Sequence, residues 1–275
     1  MKAKKTSIKH LDGVARHDWR GPADLDVRER GLYTEHFEGE QYDFIFAPKP
    51  ETRRLIVFFS GDARRTTFEP PVFQRWSWAS KFPASCLYFS DPALYHDSNL
   101  GLAWYAGNSR GDYLAHIAEI VASAVKTIGA DPHQVFSYGS SGGGFAALRF
   151  ARYLKGLQVI AINPQTDLWK YPVKWTERMS KVCYSADDLG GVPQDQQYKF
   201  TALDPEVMAG ARSIFLAQNV QDTDHYENHF TPFRKYVESS GHAEMLTSRE
   251  FSDESGHAGA ENQETFEDIL GFVTR

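Results

Sequence analysis

A short apolar run, Val135-Phe136-Ser137-Tyr138, passes without a spacer into Gly139-Ser140-Ser141-Gly142-Gly143-Gly144 and then into a helically spaced stretch from Phe145 to Leu154 that Gly156 closes. A strand that turns into a helix within a few small residues brings the helix back across the sheet, the basic step of an α/β layer. Other runs fit the same plan. Leu55–Phe59, Cys86–Phe89, Val159–Ile162 and Ser213–Ala217 are continuously apolar, as strands covered on both faces are. From Asp112 to Ile128 the apolar residues Leu114, Ile117, Ile120, Val121, Ala124, Val125 and Ile128 recur at helical spacing, with Gly129 as the stop. Earlier, Tyr33–Phe37 and Tyr42–Phe46 alternate on either side of Gly39 and read as a hairpin. A helix near Phe230–Ser239, a strand at Ala243–Thr247 and a last helix from about Asn262 to Val273 complete the pattern. The expected fold class is α/β, a mostly parallel sheet with helices on both faces.

Two segments stand outside the alternation. Residues 1–30 are polar and irregular, with Asp12-Gly13 and Gly21-Pro22 as turn signals, and are expected to lie over the surface. Residues 165–209 carry several aromatics but no clear strand, and read as an inserted cap or lid. Neither forces a domain boundary. At 275 residues, with 41% hydrophobic and 14% aromatic residues, the chain suits one domain spanning 1–275 with a sizeable core.

The totals also restrict partners. A net charge of −6 and a pI of about 5.9 argue against nucleic acid or an anionic membrane surface. The two cysteines, Cys86 and Cys183, are too few and too far apart for a disulfide framework or a zinc site, and Cys86 sits in an apolar run as a core thiol. The basic start, Met1-Lys2-Ala3-Lys4-Lys5, has no apolar stretch behind it, and no run approaches the length of a membrane span. The expectation is a cytoplasmic protein, of undetermined oligomeric state, that acts on a small molecule.

The glycine-rich turn carries the chemistry. Gly139-Ser140-Ser141-Gly142-Gly143 matches G-x-S-x-G between strand and helix, the context that motif requires. Ser141 has glycine two residues away on each side; Ser140 has Tyr138 at that distance and fits less well. The stretch lacks the lysine of a phosphate-binding P-loop, and its glycines do not follow G-x-G-x-x-G. The helix start adds free N–H groups and a partial positive charge beside Ser141.

From about Tyr33 to the C-terminus, this turn and the order of elements around it resemble the α/β-hydrolase superfamily of serine esterase type. Tyr138-Gly139-Ser140-Ser141-Gly142-Gly143-Gly144-Phe145, together with Asn163-Pro164-Gln165 and Asp222-Thr223-Asp224-His225-Tyr226, is also similar to bacterial hydrolase-like proteins that accompany surface-polysaccharide enzymes. The resemblance implies a nucleophile, an acid and a histidine in that chain order, with the acid after the strand that follows the cap and the histidine before the last helix. Asp222 is the preferred acid and Asp224 the alternative; Asn219 stands where the family's turn usually has glycine. His257, in Ser255-Gly256-His257-Ala258-Gly259, is the expected general base. His225 and His229 read as loop and helix-start residues near the pocket, since no H-E-x-x-H surrounds them to suggest a metal pair. His242 reads as structural.

Two backbone donors are required for an oxyanion: Gly142 N–H, and either Gly61 or Asp62 N–H from the loop after Phe59. Arg64 and Arg65 follow that loop and are either a solvated pair or contacts for a polar substrate. Trp104, Tyr105, Gln165 and His225 are candidate substrate-binding residues; Asn163–Asp167 is placed at the rim, and Trp169–Tyr171, like Trp104-Tyr105, is placed for a pocket wall. The implied activity is hydrolysis of a carboxylic ester through an acyl-enzyme, with a short acyl group on a polar or carbohydrate-like alcohol and with no metal or organic cofactor. The alternatives on this fold are a peptidase or thioesterase with the same residues, or a catalytically silent accessory protein.

Overall fold

A computed structural model of the chain describes residues 5–6, 13–259 and 261–275. Its centre is a nine-stranded sheet. In chain order the strands are β1 (Ala15–Asp18), β2 (Gly31–Phe37), β3 (Glu40–Ala47), β4 (Leu55–Phe59), β5 (Ser85–Phe89), β6 (Val135–Ser140), β7 (Leu157–Ile162), β8 (Ala211–Asn219) and β9 (Leu246–Phe251). Across the sheet they lie in the order β9-β8-β7-β6-β4-β5-β3-β2-β1. The run from β9 to β5 is parallel; β3 pairs antiparallel with both β5 and β2, and β1 returns parallel to β2. The hairpin β2–β3 keeps the register set by the tight turn, with Phe37 opposite Glu40. A separate two-residue pairing joins Lys5–Thr6 to Phe68–Glu69.

The continuous apolar runs are continuous because both faces are covered. All five residues of β4 and of β5 are buried. On one face Leu55, Val57 and Phe59 pack with α1 (Tyr113–Ile128) and α2 (Gly142–Phe150). On the other, Ile56 and Phe58 join Ile269, Phe272 and Val273 of α6 (Gln263–Thr274). Phe58 stacks on Tyr88 with ring centroids 4.5 Å apart, and Phe82 meets it edge-on at 5.5 Å. Such pairs add roughly 0.5–1.5 kcal/mol beyond the area they bury. The Asp112 carboxylate caps α1 by accepting from Leu114 N–H, and Gly129 ends it in the left-handed conformation.

The residues between β7 and β8 form short helical pieces, among them α3 (Val173–Met179) and α4 (Pro205–Gly210). Leu168, Met179, Tyr184 and Phe200 bury themselves in the core, and Lys199 Nζ donates to Asn108 O and Gly111 O, each at 3.0 Å. Helix α5 (Thr231–Ser239) is preceded by a π turn over Tyr226–Phe230.

Three local expectations need correction. The strand expected at Ala243–Thr247 begins at Leu246 and runs to Phe251; Ala243–Met245 is a single 3-10 turn. Pairing with β8 sets this boundary, and apolar content alone misses it because the strand lies at the sheet edge and is half polar. The elbow helix starts at Gly142 rather than Phe145 and ends at Phe150. Three glycines, poor helix formers, are tolerated there because tertiary packing excludes larger residues. Residues 1–30 are not wholly irregular: β1 extends the sheet, and Trp19 and Leu25 are buried. The turn signalled by Gly21-Pro22 is a 3-10 turn over Pro22–Asp24, whereas Asp12 and the basic start at 1–4 fall outside the described residues. Both cysteines are free and buried. Among the described residues no helix is long and apolar enough to cross a membrane.

Candidate active site

Strand β6 delivers Ser141 to the carboxyl edge of the sheet in a conformation few residues adopt, φ 54° and ψ −125°. Its N–H donates to Ile162 O at 3.0 Å and its carbonyl accepts from Phe145 N–H at 3.1 Å, so the turn is held from both sides. The flanking glycines are steric requirements. A Cβ on Gly139 would stand 2.1 Å from Gly143 O, and one on Gly143 would stand 2.3 Å from Phe59 O. The strand can therefore turn into the helix only if both positions lack a side chain. Ser140 is differently employed: its Oγ accepts from Arg75 Nη2 at 2.7 Å.

Asp222 and His257 come from loops 35 residues apart in sequence and meet directly, Nδ1 to Oδ2 at 2.6 Å. Asp222 is 9% exposed, whereas the His257 side chain is 40% exposed and reaches the cleft. Burial alone would raise the Asp222 carboxyl, but hydrogen bonds from His225 and His257 outweigh it and hold the group well below the usual carboxylate range. Asp224 is exposed and accepts from Asn228 Nδ2, away from the histidines. His225 also bonds Asp222, Nδ1 to Oδ1 at 3.2 Å, and its ring stacks on that of His257 with centroids 4.1 Å apart. His229 is fully buried; its Nδ1 accepts from Thr166 N–H at 3.3 Å, which leaves that nitrogen no free lone pair for a metal. His242 sits after α5, where its N–H closes the helix on Val237 O.

Asp222, His225 and His257 offer three ligand atoms within 4.8 Å of one another, a set able to hold a metal ion. Here both Nδ1 atoms lie on the carboxylate oxygens themselves, so an ion would have to replace those two hydrogen bonds.

Ser141 and His257 line one cleft of about 780 Å³. Its walls come from Gly61–Arg64, Phe68, Val72–Trp76, Trp78, Ser140, Ser255, Ala258 and Glu261. None of the segment 165–209 lines it. Arg75 is bound by Glu261 at 2.5 Å and lies over the rings of Trp78 and Tyr138. Burial would lower the Arg75 guanidinium, but the Glu261 carboxylate more than offsets this and holds it above its ordinary value. Arg64 faces the cleft, and among the described residues no carboxylate lies within ion-pair distance of it. Arg65 turns inward instead, to Leu94 O at 2.8 Å and Glu69 at 2.6 Å, which removes it from the candidate contacts.

The two candidate donors beside Gly142 are now distinguishable. Gly61 N–H is occupied by Gln74 Oε1 at 3.0 Å, and Gln74 Nε2 donates to Asp62 O at 3.1 Å. Among the described residues the Asp62 N–H has no acceptor, and Asp62 lines the cleft with Ser141. Gly142, first residue of α2, has an N–H with no partner inside the helix.

Trp104, Tyr105, Gln165 and His225, expected as substrate contacts, are buried and do not line the cleft. They lie behind the serine. Trp104 Nε1 donates to Gln165 Oε1 at 3.1 Å, Gln165 Nε2 donates to Ser141 Oγ at 3.1 Å, and Tyr105 accepts from Ser60 N–H at 2.9 Å. Trp169 is exposed and Tyr171 packs edge-on against Trp104. Gln74, Arg75 and Glu261 carry no motif and escape sequence reading. Asn219 appears there only as a misfit, yet its Nδ2 donates to Asp253 O and Gly256 O, both at 2.7 Å, and so ties the acid loop to the histidine loop.

By sequence, no protein family and no curated protein matches this chain. By structure, the capsule O-acetyltransferase of Neisseria meningitidis serogroup A is similar, with a TM-score of 0.63 over 89% of this chain and 95% of that one at 16% identity. The acylaminoacyl peptidase of Pyrococcus horikoshii matches with a TM-score of 0.64 over 92% of this chain, which spans 42% of that protein, at 14% identity. The S-formylglutathione hydrolase of Agrobacterium tumefaciens matches with 0.56 over 89% and 91% at 15% identity. At such identities the likeness is one of fold, and the fold is that of the α/β hydrolases.

Proposed function

We propose that the chain is a serine-dependent carboxylic-ester hydrolase that works through an acyl-enzyme. The observation that carries this reading is Ser141 at a strained strand-to-helix turn, sharing a cleft with a histidine whose Nδ1 is 2.6 Å from a buried carboxylate. In this reading Ser141 Oγ attacks the ester carbonyl while His257 Nε2 takes its proton. Asp222 receives the Nδ1–H bond, fixes the tautomer and balances the imidazolium. Gly142 and Asp62 N–H groups receive the oxyanion. The proton passes to the leaving alcohol, and water, deprotonated by His257, releases the acid.

The substrate class follows from the walls. Phe68, Phe73, Trp76 and Trp78 supply flat apolar surface, and Asp62, Arg64, Arg75 and Glu261 supply polar groups among them. That mixture suits a polar, carbohydrate-like alcohol bearing a short acyl group better than a lipid chain, which requires a continuous apolar tunnel. A second reading shares the acyl-enzyme: an alcohol rather than water resolves it. Its support is the likeness, over nearly the whole of both chains, to a capsule O-acetyltransferase.

Fluorophosphonate labelling and a series of acetyl, butyryl, octanoyl and palmitoyl p-nitrophenyl esters test the proposal. Labelling of the wild type but not of Ser141→Ala, with kcat/KM greatest for the short esters, is expected. An unlabelled wild type would remove the hydrolase reading and leave a silent member of the fold; a steady rise in kcat/KM out to palmitoyl would overturn the substrate class alone.

A further inference from the structure

Asp222 has two histidines, and the reaction uses one. The second, His225, ends a chain of hydrogen bonds whose direction can be worked out from its first member. The indole of Trp104 can only donate, so the Gln165 atom 3.1 Å from Trp104 Nε1 is the carbonyl Oε1. Gln165 Nε2 is then an NH2 with two protons. It lies 3.1 Å from Ser141 Oγ and 2.6 Å from His225 Nε2, one proton for each. His225 Nε2 must accept, which places the ring proton on Nδ1, 3.2 Å from Asp222 Oδ1. The other carboxylate oxygen, Oδ2, faces His257 Nδ1 at 2.6 Å. Trp104, Gln165 and His225 are buried, so water does not compete for these bonds.

From this geometry we infer that Trp104, Gln165 and His225 are positioning residues for the proposed reaction. The chain keeps His225 neutral with its proton on Nδ1, and makes it a fixed donor to the carboxylate oxygen that His257 leaves free. The carboxylate cannot rotate, since each oxygen is held by one imidazole. The His257 ring is held in turn by the carboxylate and by the His225 ring stacked 4.1 Å away. At the other end the same amide donates to Ser141 Oγ, which turns the hydroxyl proton away from Gln165 and leaves it free to face a base. One glutamine thereby sets the orientation of the nucleophile and, through His225, that of the acid. The backbone contributes as well: Trp104 and Tyr105 both hold left-handed conformations, φ 55° and 54°, a strained pair that delivers the indole to Gln165.

This inference rests on the proposed roles of Ser141, Asp222 and His257, and its test has two arms that fail separately. In the first, the imidazole nitrogens of the wild-type chain are observed by 15N NMR, which needs no activity. His225 and His257 are both expected as Nδ1–H tautomers. Gln165→Glu replaces a donor with an acceptor and is expected to place a proton on His225 Nε2. A wild-type His225 carrying its proton on Nε2 would overturn the chain of bonds, whatever the enzyme does. In the second arm, His225→Phe is expected to lower kcat and the fluorophosphonate labelling rate by on the order of 10- to 100-fold with KM little changed, the scale of loss from misplaced catalytic groups. His225→Gln, which keeps an N–H within the same pocket, is expected to recover most of it. Wild-type rates in His225→Phe, or equal losses in the Phe and Gln variants, would reduce His225 to packing and overturn the positioning role. If His225→Phe does not fold, Gln165→Met removes both amide bonds at similar volume and is read in the same way. Absence of labelling in the wild type would sink the nucleophile reading and leave the NMR arm to decide on the bonds.

Discussion

Two adjacent serines, a few ångströms apart, have opposite assignments, and each follows from what its hydroxyl touches. Ser140 Oγ accepts from Arg75, a side chain itself neutralised by Glu261, and its loss removes one hydrogen bond. Ser141 Oγ stands at the apex of the turn with an amide donor behind it and the cleft in front. Ser141→Ala is therefore expected to lower ester turnover by about 10⁴-fold or more and to abolish probe labelling, while Ser140→Ala retains a measurable fraction. An active Ser141→Ala beside a dead Ser140→Ala would move the nucleophile by one residue. The acids separate in the same way. Asp222 is buried between two imidazoles, and Asp224 is exposed on Asn228. Asp222→Asn is expected to cost on the order of 10³–10⁴ in kcat, matching the scale for a triad acid, and Asp224→Asn less than tenfold. His257→Ala should be as damaging as Ser141→Ala, because groups that act as a unit fail as a unit. Near-normal turnover in His257→Ala would turn attention to His225 as the base. Each comparison is a steady-state measurement on one short ester.

At the scale of elements, the site is a junction of loops at the carboxyl ends of β4, β6, β7, β8 and β9, where an open parallel sheet gathers the ends of its strands. The elbow glycines let β6 and α2 approach each other, and Asn219 at the end of β8 joins the loop after it to the loop that carries His257. That amide is fully used: its Oδ1 accepts from Gln221 N–H at 3.1 Å and Asp253 N–H at 3.0 Å. Asn219→Ala is expected to leave four partly buried backbone groups without their partner, at no more than about 1 kcal/mol each, and to lower kcat by on the order of 10- to 100-fold through displacement of His257. Thermal unfolding and turnover measured on the same preparation check this. A stable Asn219→Ala protein with unchanged kcat would show that the histidine loop holds its place without the tie.

For the whole molecule, the buried ionisable groups around the site set a dependence of stability on pH. His229 is neutral in the fold: burial, the largest cause, brings it down to about 3 from an ordinary value of 6.5. The unfolded chain therefore binds a proton that the folded chain refuses, and stability is lost as pH falls from 6.5 towards 3. Asp91 works the other way. Burial raises it to about 6, so between 6 and 3.8 the fold binds the proton more readily and gains part of that loss back. Urea unfolding at pH 7 and pH 5 is expected to show lower stability at pH 5, with a smaller difference in His229→Asn, which keeps an acceptor for Thr166 N–H but cannot ionise. An equal drop in the wild type and the variant would assign the acid sensitivity elsewhere.

The sequence by itself determined the α/β layering, because strands covered on both faces must be apolar throughout and the helix between them must repeat every three to four residues. It also determined the place of the serine, because only glycine fits two residues to either side of that turn, and Gly139 and Gly143 are local neighbours. The pairing of Asp222 rather than Asp224 with His257 was legible only as a preference, since both carboxylates lie in one loop and differ in burial, which sequence does not record. What stands around the serine was decided by the tertiary structure. Trp104, Gln165 and His225 read equally well as cleft walls or as core, and the fold places them behind Ser141 as one line of hydrogen bonds. Gln74, Arg75 and Glu261 come from stretches without periodicity, and meet the site only because β4 and β6 are neighbours and the last helix begins beside them. Hydrogen bonds between residues 60 to 186 positions apart leave no local pattern, so only the folded chain displays them.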